Sequence, residues 1–117
     1  MFTDGACKGN PGPGGWGVLM RYGGLEKSLC GGEKHTTNNR MEMMAAIVAL
    51  TELQGQSKDI DLYSDSSYLV NGIRKGWVKK WQSRGWKKSD GEAVLNIDLW
   101  KQLLKLTETV NVCFNWV

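Results

Sequence analysis

Residues 38–53 have the sequence NNRMEMMAAIVALTEL and form the clearest predicted helix of the chain. Ten of the last thirteen residues of this stretch are apolar, which is too many for a helix with a single buried side. Asn38 or Asn39 can cap the helix, and Glu42 follows Asn39 at the spacing of a capping box. We therefore predict a helix that ends at Gly55 and is buried around most of its circumference.

Segments with strand character flank this helix on both sides. The predicted strands are residues 2–5, 16–22, 25–33, 60–65 and 110–116. A glycine- and proline-rich turn at residues 9–15 and a two-residue hairpin turn at Gly23-Gly24 connect the first three strands. Alternation in the last strand predicts a buried face made of Val110, Val112, Phe114 and Trp116.

Three shorter helices are predicted between the fourth and fifth strands. They cover residues 66–71 up to Gly72, the surroundings of Trp77 and Trp81, and residues 97–106 with Asn96 as the cap. The resulting element order is β-β-β-α-β-α-α-α-β. An antiparallel meander followed by helical crossovers predicts an α/β fold with a mixed sheet, in a single domain spanning residues 1–117.

The composition is that of a globular protein. The chain has 117 residues, of which 41% are apolar and 23% charged, which excludes disordered, collagen-like and coiled-coil classes. No window approaches eighteen apolar residues, and the first residues lack the features of a secretory signal. Cys7, Cys30 and Cys113 are too widely spaced for a zinc site with the single His35. We expect three small buried thiols, reduced as in a cytoplasmic protein.

The positive charge of the chain is concentrated in one segment. Residues 72–88, the basic segment, contain seven Lys or Arg and no acid, whereas the net charge of the whole chain is only +3. The rest of the chain therefore carries −4. A positive segment on an acidic body predicts a polyanionic partner, and its cations suit contact with a nucleic-acid backbone without base reading. Trp77 and Trp81, at helical spacing, are expected to serve at least partly in packing.

Three acids are candidates for catalytic chemistry. Asp4 and Asp65 each stand at the end of a predicted strand, and Glu42 stands in the first turn of the long helix. Site residues collect at one edge of an α/β sheet, so these carboxylates can converge. Three converging carboxylates persist only if they share a proton or bind a cation, and oxygen ligands alone select Mg²⁺ or Mn²⁺.

Each acid also has a structural interpretation, and spacing alone does not decide between the two. Glu42 can complete a capping box with Asn39. Asp65 can cap the helix that follows it, and Asp4 can be an exposed turn residue. The glycine-rich turn at residues 9–15 is interpreted as a tight hairpin, because no Gly-Lys-Ser/Thr sequence closes it as a phosphate loop.

The order of these segments resembles type 1 ribonuclease H over the whole chain. The matching motifs are FTDG at residues 2–5, GNPGPGGWG at 9–17, TTNNRME at 36–42, SDSSY at 64–68, Trp77, Trp81, RGWK at 84–87 and NIDLW at 96–100. The basic segment resembles the basic protrusion of the cellular bacterial enzymes. The resemblance implies a ribonuclease H-like α/β fold with a mixed five-stranded sheet and helices packed on both faces.

The same resemblance implies an endonuclease that cuts the RNA strand of an RNA/DNA hybrid. Two divalent ions, Mg²⁺ or Mn²⁺, would be held by Asp4, Glu42 and Asp65, and the products would carry 5′-phosphate and 3′-hydroxyl ends. A site of this kind distinguishes RNA from DNA by the 2′-hydroxyl groups of the RNA strand. The partner is then an RNA/DNA hybrid duplex, bound by a monomer.

The resemblance also implies which residues contact the hybrid. They are Cys7, Gly9, Asn10, Thr37, Asn38, Asn39, Ser67, Trp77, Lys79, Lys80, Trp81, Arg84, Lys87, Lys88 and Asn96. Cys7, Gly9 and Asn38 would follow the minor-groove side of the RNA strand, and Thr37 would lie at a phosphate pocket of the DNA strand. The tryptophans and lysines would bind the backbone of the DNA strand. Ser67 stands where many relatives have Gln.

The family pattern continues beyond residue 117. It includes a Lys-Gly-His loop and a helix that supplies a fourth carboxylate, and Asp98 is the remaining acid considered for that role. Two further functions therefore stay open at this point. One is a weak or inactive hybrid-binding module, and the other is a different nuclease or integrase of the same fold.

Overall fold

The computed structural model describes residues 1–9, 11–22, 25–54, 59–88 and 90–117. These ranges contain five strands and four helices, in the predicted order. The elements are β1 (Phe2–Cys7), β2 (Gly12–Tyr22), β3 (Leu25–Thr36), α1 (Asn38–Glu52), β4 (Ile60–Ser64), α2 (Ser67–Arg74), α3 (Trp77–Ser83), α4 (Ile97–Thr109) and β5 (Val112–Trp116). The predicted turn at Gly23-Gly24 and the predicted helix end at Gly55 lie outside the described residues.

The strands form one mixed sheet in the order β3-β2-β1-β4-β5. The β1–β2 and β2–β3 pairs are antiparallel, whereas β1–β4 and β4–β5 are parallel. β1 extends past the predicted end at Gly5, because its backbone pairs as far as Cys7 with Gly14 of β2. Pairing of this kind depends on the backbone, so glycines that weaken the strand pattern do not prevent it. Asp4 therefore lies within a strand and not at its end.

The packed core lies on one face of the sheet. Helix residues such as Met43, Val78 and Trp100 form a continuous cluster with Leu62 of β4 and Phe114 of β5. A second cluster joins β2 to the other side of α1. The opposite face carries Phe2, which is 48% exposed and stacks on Tyr63 with ring centroids 5.1 Å apart. The resemblance implies helices on both faces, whereas residues from all four described helices join one cluster with Leu62 and Phe114.

α1 is buried on most of its circumference, as predicted. Its seven buried residues are Met41, Glu42, Met43, Ala45, Ala46, Ala49 and Leu50. The predicted caps Asn38 and Asn39 are wrong, because Thr37 is the N-cap and its hydroxyl accepts from the Arg40 N–H at 3.3 Å. Thr37 keeps the extended conformation in which the chain leaves β3, so the helix starts one residue earlier. Glu42 then falls beyond the capping-box position and is free for another role.

One predicted helix end and the bonding of one predicted cap differ from the structure. Gly72 does not end α2, which continues to Arg74. A β-carbon at Gly72 would lie 2.4 Å from the Trp100 ring, so this glycine allows α2 and α4 to approach closely. Asn96 occupies the N-cap position of α4 but makes no capping hydrogen bond, since its backbone is left-handed with φ of 60°.

Several exposed side chains contradict burial predictions from the sequence. Trp116 is 65% exposed, because it lies at the end of the edge strand β5. Cys30 and Cys113 are exposed and Cys7 is half-buried, so none of the thiols is a core residue. In the part of the chain that the structure describes, no helix has the length and apolar character needed to cross a membrane.

Candidate active site

Asp4, Glu42 and Asp65 converge in the folded chain. One carboxylate oxygen from each lies within 4.8 Å of the other two. The register of two parallel strands explains the aspartates, because Phe2 of β1 pairs with Tyr63 of β4. Two residues further along the chain, Asp4 within β1 and Asp65 directly after β4 reach the same level and the same face. Glu42 reaches them from the N-terminal part of α1.

α1 can approach β1 this closely because residue 5 is a glycine. A β-carbon at Gly5 would lie 2.5 Å from the backbone nitrogen of Glu42, which no real side chain allows. The Gly5 N–H instead donates a hydrogen bond to the Glu42 carboxylate. The Ser64 hydroxyl donates to Glu42 Oε2 at 3.5 Å and accepts from the Ser66 N–H at 3.1 Å.

Burial distinguishes Glu42 from the other two acids of this cluster. Asp4 and Asp65 are exposed, whereas Glu42 is only 7% exposed. Desolvation is the largest cause that raises the pKa of Glu42 to about 8, followed by the charge and hydrogen bonding of Asp65 and then by the charge of Asp4. A cation among the three carboxylates would reverse that effect, because it favours their charged forms.

The donor set fits a hard divalent cation. All three groups supply carboxylate oxygen, which is what such ions prefer, and neither His nor Cys joins them. In the ranges that the structure describes, this is the one group of three or more potential ligands. Asp98 does not belong to it, because both of its oxygens are held by Arg40, at 3.1 and 2.8 Å.

Two of the acids, Glu42 and Asp65, line an open cleft of about 420 Å³. Its lining consists of Gly5, Ala6, Cys7, Asn38, Asn39, Glu42, Asp65, Ser66, Ser67 and Tyr68. Four of the predicted contact residues, Cys7, Asn38, Asn39 and Ser67, therefore stand beside the carboxylates. The Cys7 thiol lies 3.2 Å from the carbonyl oxygens of Gly9, Gly12 and Thr36 and can donate its one hydrogen to any of them. These contacts connect the turn after β1 with the end of β3. Asn10 lies outside the described residues.

The basic segment is held on the core by its tryptophans. Trp81 packs edge-on against Trp100 at 6.0 Å between ring centroids, and Trp77 lies 6.4 Å from Trp81. This confirms that both serve partly in packing. The five predicted cations, Lys79, Lys80, Arg84, Lys87 and Lys88, are all exposed. None of them lines the cleft of the acids, so the structure forms two separate surfaces.

A polar network connects α1 with the start of α4, and the sequence analysis did not anticipate it. Arg40 donates to Asn96 Oδ1 at 3.2 Å and also pairs with Asp98. The Asn96 amide and the Trp100 indole donate to the Tyr68 hydroxyl at 3.3 and 3.1 Å. The pairing holds the pKa of Asp98 below its usual value and that of Arg40 above it. Each of these residues lies inside a motif quoted above, at residues 36–42, 64–68 or 96–100, but no local pattern indicated that they contact one another.

A family model described as RNase H matches residues 1–117. The chain belongs to the ribonuclease H family. It is 56% identical over 117 residues to the ribonuclease H of Desulforamulus reducens, covering 100% of this chain and 73% of that protein. It is 55% identical to the ribonuclease H of Legionella pneumophila strain Corby, covering 100% of this chain and 80% of that one. These relatives confirm the predicted family and a ribonuclease H enzyme.

Solved structures give the same result for the fold. LC9-RNase H1, a type 1 RNase H with the type 2 active-site motif, superimposes with a TM-score of 0.82 at 33% identity, over 99% of this chain and 60% of that chain. LC11-RNase H1 in complex with an RNA/DNA hybrid gives a TM-score of 0.73 at 26% identity, over 99% and 82%. The ribonuclease H-like α/β fold with its mixed five-stranded sheet is thereby confirmed.

Proposed function

We propose that this chain cleaves the RNA strand of RNA/DNA hybrids at a site where Asp4, Glu42 and Asp65 hold two divalent ions, Mg²⁺ or Mn²⁺. The observation that carries the proposal is the convergence of three carboxylate oxygens within 4.8 Å in the cleft of a ribonuclease H fold. The solved relative LC11-RNase H1 was crystallised with an RNA/DNA hybrid, which supports the same substrate class here.

The three acids have different surroundings and are proposed to contribute differently to the reaction. Asp4 and Asp65 are exposed, so their carboxylates can bind the ions and face the scissile phosphate. Glu42 is held from behind by Gly5 and Ser64. The bound ions would supply an activated water and stabilise the departing 3′-oxygen, which leaves 5′-phosphate and 3′-hydroxyl ends.

Two surfaces would bind the substrate. Cys7, Gly9, Asn10, Asn38, Asn39 and Ser67 are proposed to contact the RNA strand near the acids, where polar groups can recognise its 2′-hydroxyls. Thr37, Asn96 and the exposed cations and tryptophans of the basic segment are proposed to contact backbone phosphates of the DNA strand. The monomeric state and the cytoplasmic location stay predictions.

The deciding experiment is a metal titration with a fluorescent RNA/DNA hybrid. We expect cleavage of the RNA strand in Mg²⁺ or Mn²⁺, no cleavage in EDTA, and no cleavage of the matched DNA duplex. Product ends are identified by whether a phosphatase changes their electrophoretic mobility. Binding of the hybrid without cleavage in either metal would contradict the proposal and indicate a hybrid-binding module instead.

A further inference from the structure

Arg40 lies inside the motif at residues 36–42, yet its side chain does not line the cleft. Its guanidinium is directed to the beginning of α4, where it meets Asn96 and Asp98. Asp98 compensates its charge in a two-pronged contact, which is the strongest arrangement for an Arg–carboxylate pair. Arg40 is thus poorly placed to attract a phosphate directly.

The contact with Arg40 determines how the Asn96 amide is oriented. An Arg side chain has only N–H donors, so the carbonyl oxygen of Asn96 must face it. The NH₂ group then points away, and one of its hydrogens goes to the Tyr68 hydroxyl. In the described part of the chain, Tyr68 is the one side chain that accepts from this amide. The second N–H stays available at a half-exposed position.

Hydrogen bonds from two sides hold Asn96 in place. Its φ of 60° is left-handed, a conformation that asparagine adopts more readily than other non-glycine residues. Its side chain has Arg40 on one side and the Tyr68–Trp100 pair on the other. The amide is therefore fixed before any ligand arrives.

We propose that Arg40 is a positioning residue, which orients the Asn96 amide so that its free N–H donates to one backbone phosphate of the hybrid. This inference rests on the proposed function, because it takes the hybrid as the ligand. Arg40 then affects binding through Asn96, because Asp98 compensates the charge of Arg40.

The test measures binding in EDTA, so that no cleavage is needed. The probes are RNA/DNA hybrids in which a single methylphosphonate replaces one phosphate, moved along each strand in turn. For the wild type, several positions should weaken binding, because the basic segment also contacts phosphates. The phosphate that Asn96 contacts should be one of them, with an effect of roughly tenfold, the usual result of losing a hydrogen bond to a charged group. In Asn96→Asp, neutralising that same phosphate should instead strengthen binding, since it relieves repulsion from the new carboxylate.

The Arg40 variants then separate positioning from mere stability. In Arg40→Met, neutralising the phosphate that Asn96 contacts should no longer weaken binding. If Arg40→Met does not fold, Arg40→Lys is measured in its place; it retains one donor group and should keep part of the wild-type loss. Arg21→Met is the matched control, because it also removes an Arg from an exposed ion pair, with Glu26, at the far end of β2. It should keep the full wild-type profile.

Three results would overturn the inference. They are an unchanged profile in a folded Arg40 variant, an unchanged profile in Asn96→Asp, and no binding of hybrid by the wild type. Cleavage by the wild type is scored separately with metal added. A wild type that binds without cleaving would refute the proposed function, while the binding profiles would still decide the role of Arg40.

Discussion

At the scale of single residues, Glu42 differs most from what its position in the sequence indicates. Spacing alone allows it to be a helix cap, but Thr37 takes that role and Glu42 is buried beside two exposed aspartates. Its raised pKa of about 8 means that it holds a proton at neutral pH when no cation is near. Metal binding at this pH should therefore release a proton.

The first prediction concerns the stability of the metal-free protein as the pH changes. The pKa of Glu42 is about 8 in the folded chain against an ordinary 4.5, so the folded state binds its proton more tightly. Its contribution to stability is complete below pH 4.5 and is lost as the pH rises through 8. Glu42→Gln cannot lose a proton, so it should gain stability relative to the wild type between pH 5 and 8.

Urea denaturation in EDTA at pH 5, 6.5 and 8 measures this difference. Glu33→Gln is the control, because Glu33 is an exposed glutamate of β3. Parallel pH profiles for Glu42→Gln and the wild type would show that Glu42 is already ionised in the metal-free protein.

The second prediction concerns Asp4. Asp4→Asn should abolish hybrid cleavage in Mg²⁺ and Mn²⁺ while leaving the melting temperature in EDTA nearly unchanged, because Asp4 is exposed. Asp65→Asn should behave alike. Asp61→Asn, an exposed aspartate on β4 outside the cluster, is the matched control and should cleave normally. A folded Asp4→Asn protein with near-normal rate would exclude Asp4 as a ligand.

At the scale of elements, the contact between α2 and α4 depends on Gly72. Replacing a glycine by alanine within a helix ordinarily stabilises by up to about 1 kcal/mol. Here the new β-carbon would lie 2.4 Å from the Trp100 ring, and Trp100 is completely buried. Overpacking of a rigid core side chain costs about 1–3 kcal/mol, so the clash should prevail.

The third prediction is therefore that Gly72→Ala lowers the free energy of unfolding. Gly17→Ala is the matched control, because a β-carbon at Gly17 meets nothing within 4 Å. Chemical denaturation followed by tryptophan fluorescence compares the two variants with the wild type. A Gly72→Ala protein as stable as the Gly17→Ala control would mean that Trp100 can move aside without loss.

The fourth prediction concerns α3 and the loop that follows it. Replacing Lys79, Lys80, Arg84, Lys87 and Lys88 by Ala should weaken hybrid binding. The slope of log K against log salt should become shallower by about 0.7–0.9 for each phosphate that the variant no longer neutralises. Turnover at saturating hybrid should change little, because these side chains do not line the cleft of the acids.

The control for this experiment is Lys105→Ala, which removes an exposed cation of α4 outside the basic segment. Binding measured by fluorescence anisotropy at several salt concentrations gives the slopes. A fixed KM with a collapsed rate would show instead that the basic segment acts within the catalytic site.

At the scale of the whole molecule, the cluster of acids connects β1, α1 and the end of β4. A ligand that binds only where these elements meet must stabilise the entire fold, by about 2.7 kcal/mol when its concentration is a hundred times its Kd. In a chain of 117 residues such a gain raises the melting temperature by several degrees.

The fifth prediction is that saturating Mg²⁺ or Mn²⁺ raises the melting temperature at pH 7.5 and that Asp4→Asn abolishes the shift. Ca²⁺ serves as a second oxygen-seeking probe, and Na⁺ at equal ionic strength controls for screening. An equal shift in the wild type and in Asp4→Asn would mean that the ions act elsewhere than at the three carboxylates.

The order of the elements and the burial of α1 could be predicted from the amino-acid sequence. Both follow from patterns within a few neighbours, namely the alternation of the strands and the dense apolar run of residues 41–53. The motif at residues 36–42, with Asp4 and Asp65 at matching places, also identified the family before any geometry was known. Local patterns are sufficient here because each describes one element and its immediate neighbours in the chain.

How those elements meet became known only from the folded chain. The register of β1 with β4 places Asp4 at the level of Asp65. Pairing with β2 extends β1 as far as Cys7. Gly72 looked like a helix end but lies under Trp100, and Asp98 is paired with Arg40, 58 residues away. Register, close approach and partner choice depend on contacts between distant parts of the chain, and no local pattern encodes them.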